Sequence, residues 1–140
     1  MNSNELSRVI TQRVACDWRA AYALAADPAR LPEWASGLAD GALAREGEGE
    51  RWVATTPGGR AVLRFAPANE FGVLDHWVAP EGVPEVYVPF RVVGVAPGAC
   101  ELQFTLLRQP HMDDEAFAHD AEWIARDLRA LRALLEAPAR

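Results

Sequence analysis

The feature that most limits the fold of this chain is a long amphipathic helix, predicted over residues 113–136. Its apolar residues recur at spacings of three and four and form one stripe: Phe117, Ala121, Ile124, Leu128, Leu131 and Leu135. Acidic residues begin the segment and arginines follow toward its end, which suits the helix dipole. A stripe of this length has to be buried, so another part of the chain must supply an apolar surface.

The region from about residue 40 to residue 108 supplies that surface as strands. Short apolar runs alternate there with turn signals, at Gly47-Glu48-Gly49, Pro57-Gly58-Gly59, Pro67-Ala68-Asn69, residues 80–84 and Pro97-Gly98. Six consecutive strands with short connections predict an antiparallel meander. A further strand is predicted over residues 7–15, and two short helices over residues 18–26 and about 29–34.

These elements predict an α+β helix-grip fold in one domain over residues 1–140. A curved seven-stranded antiparallel sheet would wrap around the long C-terminal helix, and the two short helices after the first strand would close one end. A length of 140 residues is typical of a single domain with a substantial core. Because a strongly curved sheet is wider than one helix, we expect a space between sheet and helix.

Composition excludes several classes of function. The formal net charge of -6 argues against a nucleic-acid partner or an anionic membrane surface. The chain contains no lysine, which excludes a lysine Schiff base, a P-loop lysine and a lysine general base. No apolar run approaches the roughly 20 residues that span a bilayer, and the polar start of the sequence leads us to expect a cytoplasmic protein.

The element order, together with the segment Asp27-Pro28-Ala29-Arg30-Leu31-Pro32-Glu33-Trp34, resembles the SRPBCC superfamily, which includes the START-like domains. The resemblance covers nearly the whole chain and is to the polyketide cyclase/dehydrase group in particular. It implies an apolar cavity between the concave face of the sheet and the last helix, with a small hydrophobic or aromatic ligand, no cofactor and no metal. It does not choose between a carrier and an enzyme, because this fold hosts both.

Strand alternation predicts which side chains face the cavity. Counting outward from the turns places one row across the concave face: Ala54, Leu63, His76, Val88 and Arg108. His76 and Arg108 are its two polar members and the candidate catalytic residues, one as an acid or base and the other as a partner for an anionic group. The alternative is a core histidine bonded to a backbone carbonyl and a strand-end arginine that reaches solvent.

Large apolar side chains are the candidate lining of the cavity: Trp34, Trp52, Leu63, Phe65, Val88, Phe90, Phe104, Phe117 and Trp123. Aromatic side chains at a cavity wall can stack on a planar ligand, and the alternative for each of them is ordinary core packing.

Other residues have structural interpretations of their own. Asp75 and Arg91 are predicted to form an ion pair on the outer face of the sheet. Trp77 and Tyr87 fall on the same outer face, either as the interface of a homodimer or as solitary exposed aromatics.

Two further groups could carry chemistry. Cys16 and Cys100 lie at the ends of two strands that pair in this fold. The two cysteines could form a disulfide or remain free thiols, and a reducing cytoplasm favours free thiols. His111, Asp114, Glu115 and His119 cluster at the start of the long helix, where Glu115 and His119 are spaced by four residues as a metal pair could be. The helix dipole explains Asp114 and Glu115, and we predict no metal site there.

Three functional hypotheses follow. The first is an acid/base enzyme similar to polyketide cyclases and dehydratases, in which His76, helped by Arg108, moves a proton. The second is a non-catalytic carrier or sensor of a hydrophobic metabolite. The third is a co-chaperone-like interaction module that binds a protein through the Trp77–Tyr87 face.

Overall fold

The computed structural model describes residues 5–36, 43–47, 51–56 and 59–138, and it has the predicted order of strand, helical segments, strands and long helix. Its elements are β1 (Ser7–Val14), α1 (Trp18–Ala25), a 3₁₀ helix (Pro28–Glu33), β2 (Ala44–Arg45), β3 (Arg51–Thr56), β4 (Gly59–Phe65), β5 (His76–Pro80), β6 (Val86–Val88), β7 (Phe90–Ala96), β8 (Ala99–Leu107) and α2 (Asp114–Glu136). The predicted turns near residues 48–49 and 57–58 lie outside the described residues.

The described strands form two antiparallel sheets, in the orders β1-β8-β7 and β2-β3-β4-β5-β6, so the prediction of one seven-stranded sheet is wrong. The predicted sixth strand is divided into β6 and β7 at Pro89. Proline has no backbone N–H and cannot continue a ladder of hydrogen bonds, which explains why one run of chain serves both sheets.

The segment just before β5 joins the two sheets. The Leu74 N–H donates to the Phe90 carbonyl at 2.8 Å, and the Val92 N–H donates to the Gly72 carbonyl at 2.9 Å. Val73 forms a β-bridge with Arg91 between these two bonds. Residues 72–74 therefore run along β7 before the chain enters the other sheet.

Helix α2 buries the predicted stripe, since Phe117, Ala121, Leu128 and Leu131 are all buried. The Asp113 carboxylate caps the helix by accepting a hydrogen bond from the Ala116 N–H at 2.8 Å. The helix packs chiefly on β1, with further contacts to β8 and α1. The predicted role of the stripe is confirmed.

The predicted strand register is displaced by two residues in the first hairpins. Ala54 pairs with Ala61 instead of Leu63, and His76 pairs with Phe65 instead of Leu63. Gly59, which we placed in the turn, belongs to β4 and pairs with Thr56, so the centre of the hairpin moves by one residue. A shift of two keeps every side chain on its predicted face, because the period of a strand is two.

The next two pairings give opposite outcomes. The predicted pairing of His76 with Val88 is confirmed. The predicted pairing of Val88 with Arg108 is wrong, because Phe90 pairs with Phe104 and β8 ends one residue before Arg108. Arg108 therefore does not belong to the row that contains His76.

The join between the sheets gives a test of this architecture. Gly72 and Gly98 both have positive φ, +74° and +73°, but a Cβ on Gly72 would lie 2.3 Å from the Val92 carbonyl oxygen, whereas one on Gly98 would meet nothing within 4 Å. We expect Gly98→Ala to lower the free energy of unfolding by about 1 kcal/mol. Gly72→Ala should cost at least about 2 kcal/mol more, as measured by urea unfolding. Equal losses would contradict the proposed tight join.

Candidate functional site

A cavity of about 290 Å³ lies between the 3₁₀ helix, the sheets and α2. This volume is at the small end of the range for ligand pockets, about 300–1,000 Å³. Its lining is mostly aromatic and aliphatic: Tyr22, Ala25, Ala26, Leu31, Trp34, Ala35, Phe65, Ala66, Val73, Leu74, Asp75, His76, Val78, Val88, Phe90, Phe104, Leu106, Asp120, Trp123, Ile124, Asp127 and Leu128.

The structure brings most of the predicted lining residues together around this cavity: Trp34, Phe65, Val88, Phe90, Phe104 and Trp123. Three others lie elsewhere. Trp52 lines an adjoining hollow of about 420 Å³, while Leu63 and Phe117 are buried in the packed core. Leu63 is in the core because the two-residue shift of register moves it along the strand, away from His76.

His76 lies in an aromatic cluster on the cavity wall and is 5% exposed. Its ring centre is 6.1 Å from those of Phe65 and Phe104 and 6.4 Å from that of Phe90. Its Nδ1 lies 3.0 Å from the carbonyl oxygen of Leu74. The alternative interpretation, a histidine bonded to a backbone carbonyl, is therefore correct for one side of the ring, while the residue still lines the cavity.

The Leu74 contact determines the protonation of the imidazole. A carbonyl oxygen only accepts hydrogen bonds, so Nδ1 must carry the hydrogen. Desolvation by burial lowers the pKa of His76, which favours the neutral ring. A neutral ring protonated at Nδ1 has a lone pair at Nε2. His76 can therefore act as a base or as a hydrogen-bond acceptor.

Arg108 is engaged outside the cavity, so its predicted position beside His76 is wrong. Its guanidinium forms a 2.8 Å ion pair with Asp114 and donates to the Met112 carbonyl at 3.1 Å. Its charged group also lies 5.4 Å from the centre of the Phe117 ring. These contacts anchor the start of α2, and Arg108 is not among the lining residues.

Trp34 brings a polar group to the same wall. It is 6% exposed, and its Nε1–H has no hydrogen-bond partner within the described parts of the chain. Its ring packs against Phe90, with 6.1 Å between the ring centres. The preceding 3₁₀ helix, capped by the Asp27 carboxylate at the Ala29 N–H, fixes the position of Trp34.

Two carboxylates of α2 also line the cavity, and the sequence reasoning missed both. Burial raises the pKa of Asp120. Asp127 accepts a hydrogen bond from the Ser36 hydroxyl at 2.6 Å, and the Trp123 indole N–H donates to the same hydroxyl at 3.0 Å. The spacing of Asp120, Trp123 and Asp127 by three and four residues was a usable signal, because it marks a second stripe beside the apolar one. Among the described residues, the lining contains no arginine.

Asp75 accepts hydrogen bonds from three residues across the gap between the sheets. Its carboxylate accepts from the Phe90 N–H at 3.0 Å, from Nε and Nη2 of Arg91 at 2.9 Å each, and from the Tyr87 hydroxyl at 2.5 Å. Burial alone would raise the pKa of Asp75, but these bonds outweigh it and bring the value down to about 2. The predicted ion pair is confirmed, although Asp75 is 7% exposed and does not lie on an open outer face.

The two aromatic residues of the outer face, Trp77 and Tyr87, pack against each other. Trp77 and Tyr87 stack with ring centres 5.3 Å apart, and the Arg64 guanidinium lies 4.1 Å from the centre of the Trp77 ring. Tyr87 is 37% exposed. The homodimer and the interaction module stay predictions.

Both cysteines are free thiols, although the strands that carry them are neighbours and Val14 pairs with Cys100. Burial raises the pKa of the Cys100 thiol to about 12, which makes it a poor nucleophile at neutral pH. Within the described ranges, no group of three histidine, cysteine or acidic side chains is placed to hold a metal ion. None of the helices in those ranges combines the length and apolarity needed to cross a bilayer.

No family model and no curated protein matches this chain. Solved structures do match. The protein XoxI from Bacillus cereus aligns over 94% of this chain and 96% of its own, with a TM-score of 0.74 and 14% identity. A START superfamily protein from Mycobacterium smegmatis aligns over 94% and 98%, with a TM-score of 0.73 and 14% identity.

The di-domain ARO/CYC protein BexL from the BE-7585A biosynthetic pathway aligns over 94% of this chain but only 45% of its own, with a TM-score of 0.64 and 16% identity. At such identities the likeness concerns the fold. The chain has a START-like fold, as its sequence resemblance indicated, and the ARO/CYC protein BexL shares this fold.

The low pKa of Asp75 predicts how stability depends on pH. A carboxylate with a depressed pKa stabilises the fold above its unfolded value of 3.8, and this contribution disappears as the pH falls toward 2. We expect Asp75→Asn to lower the free energy of unfolding by about 2 kcal/mol at pH 7, and the difference from wild type to shrink between pH 4 and 2.

Urea unfolding over this pH range measures the difference. Glu85→Gln is the control, because it removes the exposed Arg64–Glu85 ion pair and should change stability by less than about 1 kcal/mol. A constant gap between wild type and Asp75→Asn from pH 7 to 2 would show that the carboxylate charge is not responsible.

Proposed function

We propose that the protein binds a small, mostly apolar ring compound in the cavity beside His76. The observation that carries the proposal is the cavity itself, a hollow of about 290 Å³ that is walled by aromatic and aliphatic side chains and borders the packed core. Transfer of apolar ligand surface from water into such a space contributes about 25 cal/mol per Å². The small volume favours a compact ring system over the long acyl chains of a whole lipid.

The fold neighbours support this class of ligand. One is a START superfamily protein and another is an ARO/CYC protein of a biosynthetic pathway. Both resemblances are distant, so the chemical argument rests on the cavity walls of this chain.

Blocking the cavity tests the proposal. Val88 and Val86 are alternate residues of β6 and share a face, but only Val88 lines the cavity. We expect Val88→Trp to weaken the binding of 2-naphthol at least tenfold, as measured by calorimetric titration, because the indole fills ligand space. Val86→Trp is the matched control and should bind as wild type does.

Thermal unfolding of the wild-type protein tests ligand binding without any variant. A ligand at a hundred times its dissociation constant should stabilise the wild-type fold by about 2.7 kcal/mol. If Val88→Trp and wild type bind 2-naphthol equally well, or neither binds it, the cavity is not the ligand site.

An acid/base enzyme is a second candidate, favoured by one specific observation. A neutral imidazole and a carboxyl group with raised pKa, His76 and Asp120, line the same cavity. Aldol-type cyclisation and dehydration need a base, which the neutral His76 imidazole can supply, and Asp120 is a second titratable group on the same lining. Arg108 has no part in this version, because it is held by Asp114.

Proton exchange in D₂O tests the enzyme hypothesis. We expect wild-type protein to accelerate loss of the methyl proton signal of 2-acetylnaphthalene, because His76 Nε2 removes a proton from the carbon next to the carbonyl. The rate should hold down to about pH 6.5 and fall only at lower pH, because burial lowers the pKa of the imidazole below its ordinary value. His76→Phe should exchange no faster than buffer. Equal rates in wild type and His76→Phe would leave the protein as a carrier.

A further inference from the structure

We infer that Trp34 and His76 form a donor–acceptor pair within the cavity, which selects an uncharged ring compound carrying one carbonyl and one hydroxyl group. This inference rests on the proposed function, because it names the chemical class of the ligand held in that cavity. It concerns the Trp34 N–H and the second ring nitrogen of His76, two polar groups that aromatic packing alone does not need.

The donor is the Trp34 indole. It is buried, it lines the cavity, and its Nε1–H has no hydrogen-bond partner among the described residues. An unpaired donor in a buried site is rare, because it has lost water without gaining another acceptor. Other buried polar side chains on this wall, such as Asp75, are satisfied. A ligand carbonyl oxygen is the group that would complete the indole.

The acceptor is Nε2 of His76. The Leu74 carbonyl fixes the hydrogen on Nδ1, so the other ring nitrogen presents a lone pair. The Leu74 carbonyl is the sole hydrogen-bond partner of the His76 ring in the described parts of the chain. A ligand hydroxyl would donate to Nε2 without any change in protonation.

The two groups border one ring-sized space. Trp34 and His76 both pack against the ring of Phe90, with ring centres at 6.1 Å and 6.4 Å. Phe90 is therefore a shared neighbour of donor and acceptor, so that one ring compound packed against Phe90 would lie close to both side chains.

Charge narrows the class further. Asp120 and Asp127 line the cavity, whereas no arginine is found among the described lining residues and the chain has no lysine. A carboxylate ligand would meet like charge without a cationic partner, which disfavours fatty acids and aromatic acids. The ligand is therefore neutral.

Five naphthalene derivatives test the inference by calorimetric titration. They are naphthalene, 2-naphthol, 2-acetylnaphthalene, 6-acetyl-2-naphthol and 2-naphthoate, which differ in the polar groups on one shared ring system. The variants are Trp34→Phe, which removes the N–H and keeps an aromatic ring, and His76→Phe, which removes the acceptor.

We expect Trp34→Phe to lose about tenfold in affinity for the two ketones, equivalent to one hydrogen bond of about 1.4 kcal/mol, and to bind naphthalene and 2-naphthol unchanged. His76→Phe should lose about tenfold for the two hydroxyl compounds only. Wild type should bind 2-naphthoate at least tenfold more weakly than 2-acetylnaphthalene. Equal losses for all probes in either variant would show a packing role and overturn the inference.

A measurement on unmodified protein removes any dependence on the folding of the variants. The Trp34 indole N–H resonance should move downfield when 2-acetylnaphthalene is added and should not do so with naphthalene. If naphthalene binds and Val88→Trp blocks its binding, but the indole resonance does not shift when 2-acetylnaphthalene is added, the inference fails while the proposed function stands. If none of the probes binds, both fail.

Discussion

The architecture depends on one carboxylate, that of Asp75, which bridges the place where the hydrogen-bond ladder is interrupted. Pro89 cannot donate to a neighbouring strand, so the sheet divides between β6 and β7. Asp75 accepts bonds from the Tyr87 hydroxyl, the Phe90 N–H and the Arg91 guanidinium, which lie on both sides of that break. A side chain thus supplies the acceptor that a regular ladder would have taken from the backbone, and the two sheets stay joined at the break.

The junction between the two sheets also determines where His76 lies. Asp75 and His76 both border the cavity, but the Asp75 carboxylate is held by the donors at the break, while the His76 ring belongs to the aromatic wall. The Asp75 carboxylate is kept charged by its donors, whereas burial among phenylalanine rings keeps the His76 imidazole neutral. Two adjacent residues therefore have opposite electrostatic environments. Because Asp75 is held by several hydrogen bonds, it also fixes the backbone position of His76.

The features that depend only on the periodicity of helices and strands could be predicted from the sequence. The positions that depend on loop length and on the rotation of the helix could not. The α2 stripe from Phe117 to Leu131 and the inward face of Phe90 follow from spacings of 3.6 and 2, which survive a register error of two residues. The position of Arg108 depended on loop length and was wrong. Asp120 was missed because an acidic residue beside an apolar stripe is usually solvated, and its exposure depends on how far the helix rotates against the sheet.

The polar atoms of the cavity are better explained by ligand binding than by stability. A phenylalanine at position 34 could pack against Phe90 much as the indole does, without an unpaired donor that costs about 1–3 kcal/mol. An apolar residue at position 76 would likewise avoid the desolvation of an imidazole. Both costs fall on one wall, beside the same aromatic ring, whereas the core around Leu63 and Leu102 is wholly apolar. Stability alone gives no reason for this concentration, and a ligand that pairs with both groups offsets both costs at once.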